Sequence, residues 1–407
     1  MSFLYSISVS VAKALAPLVA TSAKATAFVK GRRELWDQIH NIPKDKKVVW
    51  MHSASLGEYE QGLPVLQELK TKNPNYFYLV TFFSPSGYEV RKNHGVADLT
   101  TYLPWDTKSD IKRFVEHVNP AMVLFVKYEF WPNLIRELHR KEVVLYLIAG
   151  VFRANQLFFK PWGKTQRKLL ASFKHLFVQN GNSLKLLQQI GLNNATISGD
   201  TRFDRVGATK EPLVFMETFV GTRNCIVVGS SWPEDEAVFL DAVKQTPSNW
   251  CWLIAPHEMH EEKLSHLIEQ LPKGSLRFSE NESPNFADCP VLVLDTVGLL
   301  SRCYPYASIA YVGGGMGTSG LHNILEPAAD GIPILIGKNY SKFPEAKALI
   351  DLGGVVSVHD SNSCTYQIKT LIEDESIRLQ QGAINNQYVL ENQGATQKTL
   401  RLLNKAL

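Results

Sequence analysis

The chain has 407 residues, of which 45% are hydrophobic and 20% charged, and a formal net charge of +4. That length exceeds one ordinary core and implies two domains of about 200 residues each, while the composition excludes a disordered or fibrous protein. So mild a charge carries no nucleic-acid signature, though it leaves room for acidic substrates.

No Asp or Glu precedes Glu34, whereas Lys13, Lys24, Lys30, Arg32 and Arg33 are basic. Leu4, Ile7, Val11, Leu15 and Leu18 recur every three or four residues and form one apolar helical stripe. Lys13 and many small polar residues keep this stretch short of an apolar span of about 20 residues. Residues 1–33 therefore read as an amphipathic segment lying against an anionic membrane surface; a helix that packs onto a domain is the alternative.

From Lys46 onward, short apolar runs alternate with helical patterns: 48–52, 76–83, 121–126, 143–150 and 175–180, with a last short strand and an exit from the first domain within 190–206. That rhythm predicts a parallel sheet covered on both faces. A second series follows at 225–231, 250–256, 290–295, 309–312 and 332–336. The polar section 279–288 reads as a loop, and residues 373–407 as one or two amphipathic helices. Five cysteines, at 225, 251, 289, 303 and 364, are odd in number and lack CxxC spacing, which points to reduced thiols rather than a disulfide framework or a zinc site.

Candidate chemistry gathers where strands end. His52-Ser53-Ala54-Ser55-Leu56-Gly57-Glu58 follows the first strand, so Glu58 is a candidate general base; Ser55 and Glu58 also fit a capping box, which competes with that reading. Glu129, in Tyr128-Glu129-Phe130-Trp131-Pro132-Asn133, is a carboxylate amid aromatic surface, costly there unless paired or facing a ligand. Neither carries metal-ligand spacing, which favours a metal-independent mechanism. In the second series, Ser230 and Ser231 end one strand with Glu234 as a capping-box partner, and His257 ends the next. Gly313, Gly314 and Gly315 form a turn permitting close backbone approach. A helix expected after it carries His322, Asn323 and Glu326, the last two sharing a face where a carboxylate can accept both hydroxyls of a ribose.

Taken together, these motifs resemble the bacterial 3-deoxy-D-manno-octulosonic acid (Kdo) transferases over nearly the whole chain. HSASLGE at 52–58 is similar to the family's S-[LV]-G-E motif, KYEFWPN at 127–133 to its E-x-W-P-N motif, and SGDTRFDRV at 198–206 to the segment closing its first domain. GSSWPEDE at 229–236 is similar to its G-S-[ST]-x-x-x-E-[DE] stretch, and YVGGGMGTSGLHNILEPAADGIPILIG at 311–337 to its V-G-G-S…G-G-H-N-x-L-E-P-A signature. Two positions depart from the pattern: His257-Glu258 stands where many relatives have Arg-His, and Leu299 where relatives often have Glu.

The resemblance implies an α/β protein of the GT-B fold, two Rossmann-like domains with parallel sheets facing a central crevice. Residues 34–208 would bind the acceptor and 209–380 a CMP-sugar, with 381–407 packing back toward the first domain. It implies inverting transfer of Kdo from CMP-Kdo to a lipid A precursor such as lipid IVA, with no cofactor, metal or nucleic acid, at the cytoplasmic face of the cell inner membrane. Glu58 and Glu129 would be catalytic. Ser55, Gly57, Arg202, Ser230, Ser231, His257, Gly313, Gly314, Gly315, Asn323 and Glu326 would bind substrate or donor. Another GT-B transferase or epimerase, or a non-catalytic lipid- or nucleotide-binding protein, is the competing expectation.

Overall fold

The computed structural model describes residues 2–93, 95–207, 211–280 and 286–405. Residues 281–285 of the expected polar loop, and the expected domain junction at 208/209, lie outside the described residues.

The chain divides into two compact units, residues 1–205 with 393–407, and residues 206–392. In the first, seven strands run parallel: β1 (Val48–Ser53), β2 (Phe77–Phe82), β3 (Leu99–Tyr102), β4 (Pro120–Val126), β5 (Val144–Gly150), β6 (His175–Val178) and β7 (Ala195–Ile197), in the order β3-β2-β1-β4-β5-β6-β7. The near-continuous apolar runs of β1, β2, β4 and β5 follow from helices covering both faces, which leave no wet side to alternate with. Strand order reverses between β1 and β4, so their carboxyl ends part and leave a crevice where ligands of such sheets bind.

Helix 56–72 leaves β1 and lies tightly on the sheet at Gly62, where an added Cβ would meet Met51 Sδ at 2.5 Å and Val126 Cγ2 at 2.9 Å. That contact fixes the helix whose first turn carries Glu58. Gln393 marks the return of the chain to this unit. The Asp204 carboxylate accepts from Gly394 N and Thr396 N, both at 2.6 Å, and Leu400 and Leu403 of helix 395–403 enter the core.

The amino-terminal segment forms two helices, Ser2–Val19 and Ala23–Gln38, the second capped by Ser22 accepting from Ala25 N. The expected stripe is on the outside: Leu4 and Leu18 are 69% and 77% exposed. The cationic set is smaller than expected. Arg32 is buried, its guanidinium 3.6 Å from the Phe28 ring centre and donating to Phe83 O, and burial lowers its pKa to about 9. Lys13 pairs with Asp110 at 2.6 Å. Helical periodicity locates a stripe but cannot tell which flanking cations fold back. No helix among the described residues is long and apolar enough to cross a membrane.

The second unit repeats the plan with β8 (Asn224–Ser231), β9 (Trp250–Pro256), β10 (Leu276–Arg277), β11 (Val291–Val293), β12 (Ile309–Val312), β13 (Ile334–Ile336) and β14 (Val355–Ser357), ordered β10-β11-β9-β8-β12-β13-β14. All pairs are parallel, and the order reverses between β8 and β12. Strands β3, β10 and β14 were not anticipated. All five cysteines are buried free thiols.

Candidate active site

Both acidic residues of the first unit stand at its switch point, Glu58 after β1 and Glu129 after β4. Ser55 is the cap residue of helix 56–72, yet its hydroxyl makes no capping bond. The Glu58 carboxylate supplies the cap instead, accepting from Ala54 N at 2.6 Å. The competing capping role thus falls to the very carboxylate that is the candidate base. Glu58 is 8% exposed. Burial first, and then the like charge of Glu129, push its pKa up to about 7, against the pull of the Ala54 amide and Lys127. A carboxylate titrating there is matched to proton abstraction near neutrality.

A buried polar chain holds Glu129. Its Oε2 accepts from Trp131 Nε1 at 2.9 Å, and the same indole N–H reaches His52 Nε2 at 3.0 Å. His52 is fully buried, with Nδ1 at 2.9 Å from Thr81 Oγ1 and 3.2 Å from Thr81 O. An indole nitrogen only donates, so His52 Nε2 is the acceptor and its proton sits on Nδ1, facing the Thr81 carbonyl. His52 Nε2 lies 3.6 Å from Glu129 Oε2, and the Glu129 carboxylate is the like charge that helps raise Glu58. The loop between β4 and Glu129 passes through Lys127 at φ 64°, strain of roughly 1–3 kcal/mol of the kind stored at functional turns.

Gly57 is exposed, and a Cβ there would meet nothing within 4 Å. Arg202 forms a paired contact with Asp200, at 2.9 Å through Nε and 2.8 Å through its terminal nitrogen, and its charge is felt at Tyr128.

In the second unit the reversal lies between Ser230-Ser231, at the end of β8, and Gly313-Gly314-Gly315, after β12. Asp235 joins the two loops. It is fully buried and accepts from Trp232 N at 3.0 Å, Gly314 N at 2.7 Å, Met316 N at 3.3 Å and Tyr311 Oη at 3.1 Å. Gly314 adopts φ +86°, and a Cβ there would stand 2.1 Å from Gly320 O, so no other residue fits the turn. With Gly313 N donating to Gly229 O, the glycine amides at 313 and 314 are engaged within the unit.

Two local expectations change. The capping box begins at Trp232 with Asp235, because Pro233 occupies the first helical position; Ser231 instead donates to Glu236 at 3.0 Å. The helix expected to carry His322, Asn323 and Glu326 spans only Leu325–Ala329, since Pro327 is tolerated only in a first turn. Asn323 precedes it, its Oδ1 accepting from Leu325 N and its Nδ2 donating to Glu326 Oε1, both at 3.1 Å. The amide and carboxylate therefore meet, by capping rather than by sharing a helical face.

An aromatic cluster closes this end of the sheet. His257 stacks on Trp232 with centroids 4.6 Å apart and lies 4.5 Å from His322, whose Nε2 accepts from Trp232 Nε1 at 3.1 Å. Burial, then the nearby His257, lowers the His322 pKa to about 4, so its ring is neutral at physiological pH. Trp232, Asp235 and the His52–Trp131 pair were not singled out in the sequence; Pro233 as a first helical residue is the signal that could have found Asp235 as the capping residue. Among the described residues no group of three or more His, Cys, Asp or Glu is arranged to hold a metal ion.

Two doubly wound parallel sheets, each with polar groups gathered at its switch point, define a GT-B-like fold. Among solved structures the chain is similar to UDP-GlcNAc 2-epimerase from Neisseria meningitidis bound to UDP-GlcNAc (17% identity, 88% of this chain, 100% of that one, TM-score 0.62). It is also similar to MurG from Acinetobacter baumannii (14% identity, 88% and 99%, TM-score 0.53). Both likenesses concern the fold alone. Residues 29–205 match the family model described as 3-deoxy-D-manno-octulosonic-acid transferase (kdotransferase). Over 373 residues the chain is 27% identical to the 3-deoxy-D-manno-octulosonic acid transferase of Haemophilus influenzae, covering 87% of this chain and 86% of that protein. It is 26% identical over 375 residues to the transferase of that name from Bordetella pertussis, with 87% and 86% covered. These matches support assigning the chain to the bacterial Kdo transferases, a family of glycosyltransferases.

Proposed function

We propose that this enzyme transfers Kdo from CMP-Kdo to a lipid A precursor at the cytoplasmic face of the inner membrane. The observation that carries the reading is the buried Glu58, raised to about 7 beside Glu129 at the first switch point. A sugar hydroxyl of the acceptor gives its proton to the Glu58 carboxylate while its oxygen bonds the anomeric carbon of Kdo from the face opposite the nucleotide. The bond from that carbon to the phosphate oxygen breaks, CMP leaves with the electron pair, and the anomeric configuration inverts. Glu58 near neutrality removes the proton itself, so the step calls for no metal-bound base. Glu129, held by Trp131, keeps Glu58 basic and faces the positive charge that develops on the anomeric carbon.

The donor nucleotide is assigned to the second unit, with Glu326 at the ribose, Asn323 holding Glu326, and Ser230, Ser231, His257 and the turn at Gly313, Gly314 and Gly315 around the phosphate. Ser55, Gly57 and Arg202 border the acceptor's sugar. Leu4 and Leu18 and their neighbours on the amino-terminal helix would rest on the lipid surface that holds the acceptor. Glu58→Gln should abolish acceptor-dependent CMP release while leaving the fold intact; near-normal turnover by the folded variant would refute the base assignment. The fold shared with a UDP-GlcNAc 2-epimerase favours, as a second reading, a different nucleotide-sugar reaction, which predicts turnover of UDP-sugars and indifference to CMP-Kdo.

A further inference from the structure

The first unit contains a hollow of about 650 Å3 that the proton transfer above does not use. Its volume lies within the roughly 300–1,000 Å3 of ordinary ligand sites. Glu129 and Trp131 edge it, and Tyr5, Phe158 and Leu169 give it largely apolar walls. A second hollow of about 410 Å3 shares Arg136, Thr165 and Leu169 with the first and adds His139 and Lys168, with no carboxylate in its lining. A largely apolar hollow thus adjoins a cationic one, and Arg136 lines both.

Two polar atoms on these walls are buried without a hydrogen-bond partner among the described residues, Arg136 Nη1 and Gln166 Oε1. A buried donor left unpaired costs about 1–3 kcal/mol, and more when it is charged, so each such atom calls for an explanation. Asp106, whose charge Arg136 feels, does not supply the missing partner: its carboxylate accepts from Tyr5 Oη, Asn133 N and Leu134 N, and Arg136 Nη1 stays unbonded. Tyr5 belongs to the helix that exposes Leu4 and Leu18, so the wall of the hollow and the exposed apolar stripe share one element.

We infer that the two adjoining hollows hold the amphiphilic part of the acceptor, an acyl chain against Tyr5, Phe158 and Leu169 and a phosphate monoester on Arg136 and Lys168. The inference rests on the proposed transfer and extends it to what selects the acceptor. A neutral lipid would leave the guanidinium unpaired, and free phosphate would leave the apolar chamber without purpose. Only a ligand with both parts answers both walls, and it would reach Glu129 with its sugar hydroxyls at the chamber's edge. The planar fork of Arg136 suits two phosphate oxygens, with Lys168 adding a point charge.

The test uses the full-length protein and three acceptors: the phosphorylated tetraacyl disaccharide, its dephosphorylated form and its deacylated form. Binding is read from the acceptor-induced change in total tryptophan emission without donor, and acceptor KM is read with CMP-Kdo. Arg136→Met should raise the dissociation constant and KM for the phosphorylated acceptor about tenfold, as loss of a charge-assisted pair implies, and should erase the wild-type preference over the dephosphorylated one. Should Arg136→Met fail to fold, Lys168→Gln, at an exposed position, should still narrow that preference about threefold. Thr165→Trp, filling the chamber, should weaken the acylated acceptor and spare the deacylated one. Folded variants that keep wild-type discrimination would overturn the inference, as would equal Arg136-dependent binding of phosphatidylglycerol vesicles. If wild type binds the phosphorylated acceptor through Arg136 yet never consumes CMP-Kdo, the transfer reading fails and the site stands.

Discussion

Lowering the pH from 8 to 6 should remove about nine-tenths of kcat/KM for transfer, because a base with pKa about 7 is roughly 91% ionised at the first pH and 9% at the second. A glutamate at its ordinary 4.5 would stay about 97% ionised at pH 6 and show no such loss. The sign follows from the role: the carboxylate works only when ionised, so activity falls as the proton binds. Two variants apportion the effect. Glu129→Gln removes the like charge that is the second cause of the shift, so the acidic limb should move to lower pH even if the plateau drops. Trp131→Phe removes the N–H that Glu129 and His52 share, and should change the plateau more than the limb. The assay is CMP release at subsaturating acceptor between pH 5 and 9, with donor stability followed in parallel. A flat profile down to pH 5.5, or a limb that stays in place in Glu129→Gln, would refute the reasoning.

Glu58→Gln should also be the more stable protein in alkaline conditions. A raised carboxyl pKa contributes stability that is complete below 4.5 and lost as pH rises through about 7. The shift, which already includes the opposing pull of the Ala54 N bond, corresponds to roughly 3 kcal/mol at most; a gain of up to about that size should appear in denaturant melts at pH 8.5 and largely vanish near pH 4.5, and no pH dependence would refute it. Asp235→Ala strips partners from Trp232 N and Gly314 N, so the second unit should lose about 3 kcal/mol; a melt unchanged by the substitution would mean the turn is held otherwise. Leu4→Ser with Leu18→Ser should reduce partitioning onto anionic vesicles at least about tenfold, from the apolar area removed, and equal partitioning would place the membrane contact elsewhere.

Much of this architecture was legible because buried parallel strands announce themselves as apolar runs: β1, β2, β4, β5, β8, β9 and β12 were all anticipated, and their loops named Glu58 and Glu129. What periodicity could not give is who meets whom. Trp131 read as aromatic surface and His52 as the start of a motif; only the register of β1 beside β2 puts His52 against Thr81, and only the crossing to β4 brings Trp131 to it. Arg32 looked like a membrane cation because sequence counts charges without knowing which ones fold inward. The glycine turn was read as open backbone, yet the carboxylate that occupies its amides lies 79 residues earlier, at Asp235. Long-range pairing of that kind leaves no local pattern.

The most direct measurement is the mass of the acceptor after incubation of the wild-type enzyme with CMP-Kdo and a phosphorylated tetraacyl disaccharide. The account predicts an acceptor heavier by whole Kdo residues, with one CMP released for each, and neither product from Glu58→Gln. An acceptor of unchanged mass while a UDP-sugar is consumed would contradict it.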